Sequence, residues 1–252
     1  MNRGELGRYV GVTGFSLGQV EKDYLQHIVL GGLSRRSAGM LVFKGGTALQ
    51  KTGVVRRFSE DLDFTARGFL ALDILAEAAR GSLDAYNFPS EMDDLVDKER
   101  TSGFRLKVRG PLYRGGRGQC SIRVEISRRE MVLLKPEGKE LAPPYADILP
   151  YILDIMQNEE ILAEKLRALS TRQKARDLYD AYMLLLKGVK IDTGLADKKL
   201  DYYGRKLDIP ALLKKLELLE PGWEPELEAI LEDVPPFQKV VAAVRSAIGG
   251  TR

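Results

Sequence analysis

Asp61 and Asp63 are the residues of this sequence whose type and spacing carry the clearest chemistry. They alternate with Leu62 and Phe64, the pattern of a strand, so both carboxylates leave the same face about 7 Å apart along the backbone. Neighbouring carboxylates repel. The simplest arrangement that satisfies them surrounds a hard divalent cation, which takes oxygen ligands and suits phosphate-bearing substrates. Glu125, on the polar side of the alternating stretch Ile122 to Ser127, is expected to supply a third ligand. Three such acids would hold two magnesium or manganese ions, one activating an attacking oxygen and the other stabilising a pyrophosphate leaving group. By itself Asp-x-Asp also fits a strand end, a helix cap or a solvated face, so its meaning depends on its surroundings.

Those surroundings begin upstream. The apolar run Leu41-Val42-Phe43 reads as a strand, Gly45-Gly46 as a tight turn, and Thr47 as the opening of a helix. Paired glycines let a phosphate approach the backbone, the helix start offers amide donors, and the Thr47 hydroxyl can contact phosphate. Ordinary capping by Thr47 explains the turn equally well. The stretch Gly45 to Thr52 is not a P-loop, because Gln50 stands where that loop needs glycine.

Together, Lys44-Gly-Gly-Thr-Ala-Leu49 and Arg57-Phe-Ser-Glu-Asp-Leu-Asp-Phe64 resemble the first motif of the AbiEii/AbiGii toxin family, within the polymerase-beta-like nucleotidyltransferase superfamily. A second block, Glu164-Lys-Leu-Arg-Ala-Leu169 followed by Arg176-Asp-Leu-Tyr-Asp180, resembles that family's downstream motif. The resemblance implies an α+β nucleotidyltransferase domain with a mixed sheet, joined to a helical domain. It also implies transfer of a nucleoside monophosphate from an NTP to an acceptor hydroxyl, with Asp61 and Asp63 on metal. Gly46 and Thr47 would lie at the nucleotide phosphates, within a binding set of Lys44, Gly45, Gly46, Thr47, Arg57, Ser59 and Lys165. Lys165 would contact the triphosphate, and Asp177 would be a further acid of the site. From the residues alone, Lys165 and Asp177 fit a structural ion pair on a helix just as well, and Asp180 reads as a packing or capping residue.

The resemblance further implies a toxin of a toxin–antitoxin pair, with RNA, tRNA above all, as the expected acceptor and a cognate antitoxin as a partner; a cytoplasmic location is expected from the lack of a membrane span or secretory signal in the sequence. A protein hydroxyl as acceptor, and a non-catalytic RNA- or antitoxin-binding protein on the same fold, remain open alternatives, as does a metal-dependent glycosyltransferase.

Composition narrows the chemistry. One histidine, His27, and one cysteine, Cys120, leave no histidine triad, zinc centre or disulfide, so acids, bases and ligands must come mainly from Asp, Glu, Lys or Tyr. No apolar stretch approaches the roughly 20 residues of a membrane span, and the first residues do not read as a secretory signal. The net charge is only +3, yet residues 100–129 carry nine Lys or Arg against one acid. Arg105, Lys107, Arg109, Arg114 and Arg117, with a second cluster at Arg172, Lys174 and Arg176, are the expected contacts to an RNA backbone or triphosphate. Their alternative is the solvated side of a half-covered sheet, paired with nearby acids.

The elements that must position these residues are legible from periodicity. A helix is expected from Ser16, with a capping box to Gln19, ending near Gly31-Gly32. Another should run from about Leu70 to Ala85, followed by an acidic connection over Glu91 to Asp97. Strict alternation marks strands at Phe104 to Arg109 and Ile122 to Ser127, joined by a glycine-rich basic loop. Prolines 143, 144 and 150 place a boundary between a catalytic domain, residues 1–150, and a helical bundle, residues 151–252.

Overall fold

In a computed structural model, which describes residues 1–37 and 39–250, the chain divides into two units. Unit 1 comprises residues 1–48, 60–132 and 136–155. It contains helices α1 (Arg3–Gly7), α2 (Val10–Thr13) and α3 (Leu17–Ser37), strand β1 (Leu41–Lys44), the start of α4 (Gly45–Lys51), and β2 (Leu62–Ala66). Helix α5 (Leu72–Ala85) and strands β3 (Ser90–Asp97), β4 (Thr101–Val108), β5 (Cys120–Ser127), β6 (Glu137–Leu141) and β7 (Tyr151–Ile155) follow.

The strands form one mixed sheet in the order β3-β4-β5-β2-β1-β7-β6. The β2/β5 and β1/β7 pairs are parallel and the others antiparallel. Directly paired residues share a face, and the register therefore sorts the side chains. Phe43, Phe64 and Ile126 form one row, and Leu62, Val124 and Phe104 the next; all six are buried. Each such side chain removed from water contributes about 1.5–3 kcal/mol. Helices α3 and α5 pack on the sheet and on each other. The opposite face carries the charged residues Lys44, Asp63, Arg105, Arg123 and Glu125.

Helix α3 does not stop at Gly31-Gly32 but runs through to Ser37. Gly32 serves packing there: a Cβ at this position would lie 2.7 Å from Ser82 Oγ and 2.9 Å from the Ala78 carbonyl of α5. The acidic stretch after α5, expected as a connection, is the edge strand β3, held by backbone pairing to β4 despite a bulge at Met92/Asp94. Residues 151–155, placed by the sequence in the helical half, form β7, whose alternating Tyr151, Leu153 and Ile155 are buried in unit 1. His27 belongs to the core, its Nδ1 2.7 Å from the Tyr151 hydroxyl. Burial pushes the Cys120 thiol up to about 12, far from the thiolate range.

Unit 2 comprises residues 49–59, 133–135 and 156 onward. It holds the end of α4 and helices α6 (Asn158–Thr171), α7 (Ala175–Leu186), α8 (Thr193–Asp201), α9 (Ile209–Glu217), α10 (Glu220–Leu227) and α11 (Phe237–Gly249). Helix α6 packs against α7, α8 and α9, and α7 against α10 and α11. Trp223, buried edge-on to Phe237, donates its indole N–H to the Pro235 carbonyl at 2.8 Å. The buried Glu160 carboxylate accepts the Leu133 and Leu134 amides, each at 2.8 Å, and the Lys199 ammonium at 2.6 Å. That triple engagement ties residues 133–135 into the bundle. Among the described residues, no helix is long and apolar enough to cross a membrane.

Candidate active site

The two sequence features that suggested chemistry are physically one feature in unit 1. Lys44 ends β1 and Gly45 opens α4 directly, with φ +75 in the left-handed region. A Cβ on Gly45 would sit 2.8 Å from Asp63 Oδ2 and 3.2 Å from Asp63 Cβ, so glycine is required both by backbone and by space. Two residues on, the fully buried Thr47 donates its hydroxyl to the Asp61 carbonyl. From the other side, Gln26 of α3 donates to the Glu60 carbonyl at 2.8 Å. The backbone entering β2 is thus fixed from two helices. Asp61 and Asp63 are both half-buried, and the Asp61 carboxylate makes no hydrogen bond or ion pair among the described residues.

The register extends this feature across three strands. Lys44 of β1 is level with Asp63 of β2, which is level with Glu125 of β5. Lys44 is nearly buried, with its Nζ 3.5 Å from a Glu130 carboxylate oxygen. Glu125 has its carboxylate 2.5 Å from the Arg123 guanidinium. Among the described residues, no group of three or more His, Cys, Asp or Glu converges as a metal cluster. The register sets Asp63 and Glu125 level on one face of the sheet, and Asp61 lies one residue before β2; among the described residues the three carboxylates are not gathered.

Unit 2 contains a second charged feature. The Lys165 ammonium of α6 lies 3.0 Å from Asp177 Oδ1 and 2.7 Å from Asp180 Oδ2. Arg57 clasps Asp180 with two bonds of 2.6 and 2.7 Å, and Arg172 clasps Asp177 at 2.8 and 3.1 Å. Five charges alternate in sign along this chain, and only Arg172 stands well out in solvent. Burial by itself would raise the Asp177 carboxyl; Lys165 and Arg172 outweigh it and hold the group down at about 2. Asp180 is lowered in the same way, with burial opposed by Lys165 and Arg57. For Lys165, burial opposes the charge, but the two carboxylates win and the ammonium is raised.

Asp180, expected only to pack or cap, is therefore the centre of this network, and Arg57, expected at the nucleotide, has its guanidinium bound to Asp180. The three-residue spacing of Asp177 and Asp180 is visible in the sequence, where Asp180 reads as packing; it turns both acids of α7 toward one lysine of α6. Ser59 is half-buried in the same unit.

The basic residues separate into two groups. Arg105 and Lys107 both reach Asp93, and Arg109 reaches Glu91 at 2.5 Å, so strand β3 supplies their counter-charges. Lys174 lies 3.3 Å from Glu226. Arg114, Arg117 and Arg176 are exposed and have no ion pair among the described residues.

The central strand β2 starts directly after Asp61 and carries Asp63, which meets the Gly-Gly-Thr start of α4. The chain is similar to MenT4, a nucleotidyltransferase toxin of Mycobacterium tuberculosis H37Rv, with 24% identity and a TM-score of 0.66 over 98% of this chain and 88% of that one. It is similar also to JHP933 of Helicobacter pylori, with 20% identity and a TM-score of 0.62 over 93% and 92%. Among curated proteins none matches. The family described as nucleotidyl transferase AbiEii toxin, of type IV toxin–antitoxin systems, matches residues 31–244. The chain belongs to this family and is a nucleotidyltransferase.

Proposed function

We propose that the protein moves a nucleoside monophosphate from an NTP to a hydroxyl of an RNA acceptor, releasing pyrophosphate, with Asp61 and Asp63 holding a divalent cation. The observation that supports this reading is the packing of Gly45 against the Asp63 side chain together with the Thr47 hydrogen bond to the Asp61 carbonyl, while the Asp61 carboxylate has no partner among the described residues. The donor set fits magnesium: this ion keeps several waters and is bound through one or two carboxylates plus substrate phosphates, so a preformed cage of three acids is not required. Glu125, level with Asp63, is the third ligand in this reading, exchanging Arg123 for the cation. When bound, the metal would neutralise charge on the transferred phosphoryl group and its leaving group.

The chain's own residues do the positioning. Thr47 fixes the Asp61 carbonyl through its hydroxyl, so its contribution is to orient the acid, and the backbone around Gly46 is what faces a phosphate in this reading. Within the helical unit, Asp177 and Asp180 keep Lys165 protonated, the state in which a lysine can bind a phosphate. The exposed arginines support an RNA acceptor, and membership of a toxin–antitoxin family supports a cognate antitoxin as partner.

The test is to incubate the protein with each NTP labelled at the α-phosphate, magnesium or manganese, and total cellular RNA and protein. Label in RNA is the expected result. Label in protein alone would make the acceptor a protein hydroxyl, and no label with any nucleotide would favour a binding protein on this fold.

A further inference from the structure

The loop between β4 and β5 carries its charge in an arrangement that ion pairing does not explain. Arg114 and Arg117 face each other as a bridged pair, exchanging backbone hydrogen bonds of 3.0 and 3.3 Å around Gly115 and Gly116. Both glycines have positive φ, +42 and +84, the geometry of a two-residue hairpin turn. Side chains of such a pair leave the same face with Cα atoms about 5.5 Å apart, and like charges directly opposite one another are destabilising. Residues 110–119 contain no acid, and neither arginine has an ion pair among the described residues.

The tip is also held in place. Gly116 donates its amide to the Tyr113 hydroxyl at 2.9 Å, and the Arg109 guanidinium stacks 5.6 Å from the Tyr113 ring. At the base, the Leu112 amide bonds Glu21 of α3 at 2.6 Å, and Gly110 packs so closely on Glu21 that a Cβ would come within 2.7 Å of its carboxylate. A rigid hairpin that keeps two uncompensated arginines side by side is preorganised for successive phosphates of a nucleic-acid backbone, whose contacts come mostly from such side chains.

We infer that the Arg114–Arg117 hairpin tip is the principal phosphodiester clamp of this protein, and that it binds the RNA backbone without reading its bases. The strand residues Arg105, Lys107 and Arg109 are secondary, because Asp93 and Glu91 already compensate them. This inference rests on the RNA-acceptor reading for its purpose, but its test needs no NTP and no turnover.

Binding of the full-length protein to a mixed-sequence 20-nucleotide RNA is measured by fluorescence anisotropy from 50 to 200 mM salt. The Arg114→Gln/Arg117→Gln variant should bind about tenfold more weakly, and its log-log salt slope should fall by about 1.4, the share of two phosphate contacts on a single strand. Arg114→Lys/Arg117→Lys should retain most of the affinity. The exposed pair Lys190→Gln/Lys239→Gln removes the same charge far from the hairpin in sequence and should change affinity less than twofold. Equal losses in the two glutamine variants, or an unchanged slope at the tip, would overturn the inference. So would a tip variant that keeps RNA affinity but loses labelling of a protein acceptor. Tip-dependent binding without label transfer would sustain the clamp and count against the transferase reading, and label transfer to RNA independent of the tip would do the reverse.

Discussion

The hydroxyl of Thr47 donates to the main-chain carbonyl of Asp61, fourteen residues along the chain. This bond joins the Gly-Gly-Thr segment to the Asp-x-Asp segment and gives Thr47 a duty distinct from holding phosphate. Thr47→Val, nearly isosteric, should lower stability by about 0.5–1.5 kcal/mol by removing this hydrogen bond. Label transfer should fall more than stability predicts, whereas Thr47→Ser should keep both. Denaturation midpoints and initial rates, measured in parallel, check this; equal activity in the valine and serine variants would remove the hydroxyl from the account.

Gly45→Ala meets two obstacles, a left-handed φ and the Asp63 carboxylate 2.8 Å from the new Cβ. The backbone strain alone should cost about 1 kcal/mol or more. Because the neighbour that must give way is a proposed ligand, affinity for the metal-nucleotide should weaken as well. Nucleotide titration by calorimetry with magnesium reads this directly, and an alanine variant that binds like the parent would show that Asp63 tolerates displacement.

Such close approaches explain how much of the site was readable in advance. The Asp-x-Asp and Gly-Gly-Thr segments are each short runs of adjacent residues whose types are visible directly in the sequence. The partners of Arg57 were not readable, since Asp180 lies 123 residues away and only the folded bundle brings them together. The same limit hid β3 and β6: acidic Ser90–Asp97 and the glycine-containing Glu137–Leu141 lack a clear apolar alternation and are held by main-chain pairing to their neighbours, whereas the alternation of β7 is present but short and falls in the half expected to be helical. The helix Arg3–Gly7 is not among the sequence expectations, although its Asn2–Glu5 capping box, which the structure forms at 2.7 to 3.1 Å, is the signal that could have found it.

The buried network of unit 2 predicts an asymmetric mutational response. Asp180→Ala should destabilise by about 3–5 kcal/mol because it strands the buried Arg57 charge, and Arg57→Ala should cost less because Lys165 still pairs with Asp180. Replacing both with apolar residues, Arg57→Met with Asp180→Leu, should recover a large part of that loss. Urea denaturation of the two singles and the double gives the coupling energy; additive losses would mean that the pair does not act as a unit.

The same network sets a pH window. Asp177 is depressed from 3.8 to about 2, so its contribution is complete above 3.8 and is lost as pH falls toward 2. Lys165 is raised above 10.5, so its contribution is complete below 10.5 and is lost only as pH rises beyond its folded value. Stability should therefore be insensitive to this network through the neutral range. On acidification it should decline by an amount on the order of 2 kcal/mol from Asp177, a decline absent in Asp177→Asn. Urea midpoints at pH 3, 5 and 7 for both proteins measure it, and parallel profiles would contradict the assignment.

The central claim is that Asp61 and Asp63 hold the cation of a nucleotidyl transfer. The most direct measurement compares the rate of label transfer from an α-labelled NTP for the parent, Asp61→Asn and Asp63→Asn, with thermal unfolding of each as the control for folding. The isosteric amides should keep the fold and lower the rate about 1000-fold, the loss expected when several kcal/mol of metal-derived stabilisation disappears. Rates within threefold of the parent in either variant would contradict it.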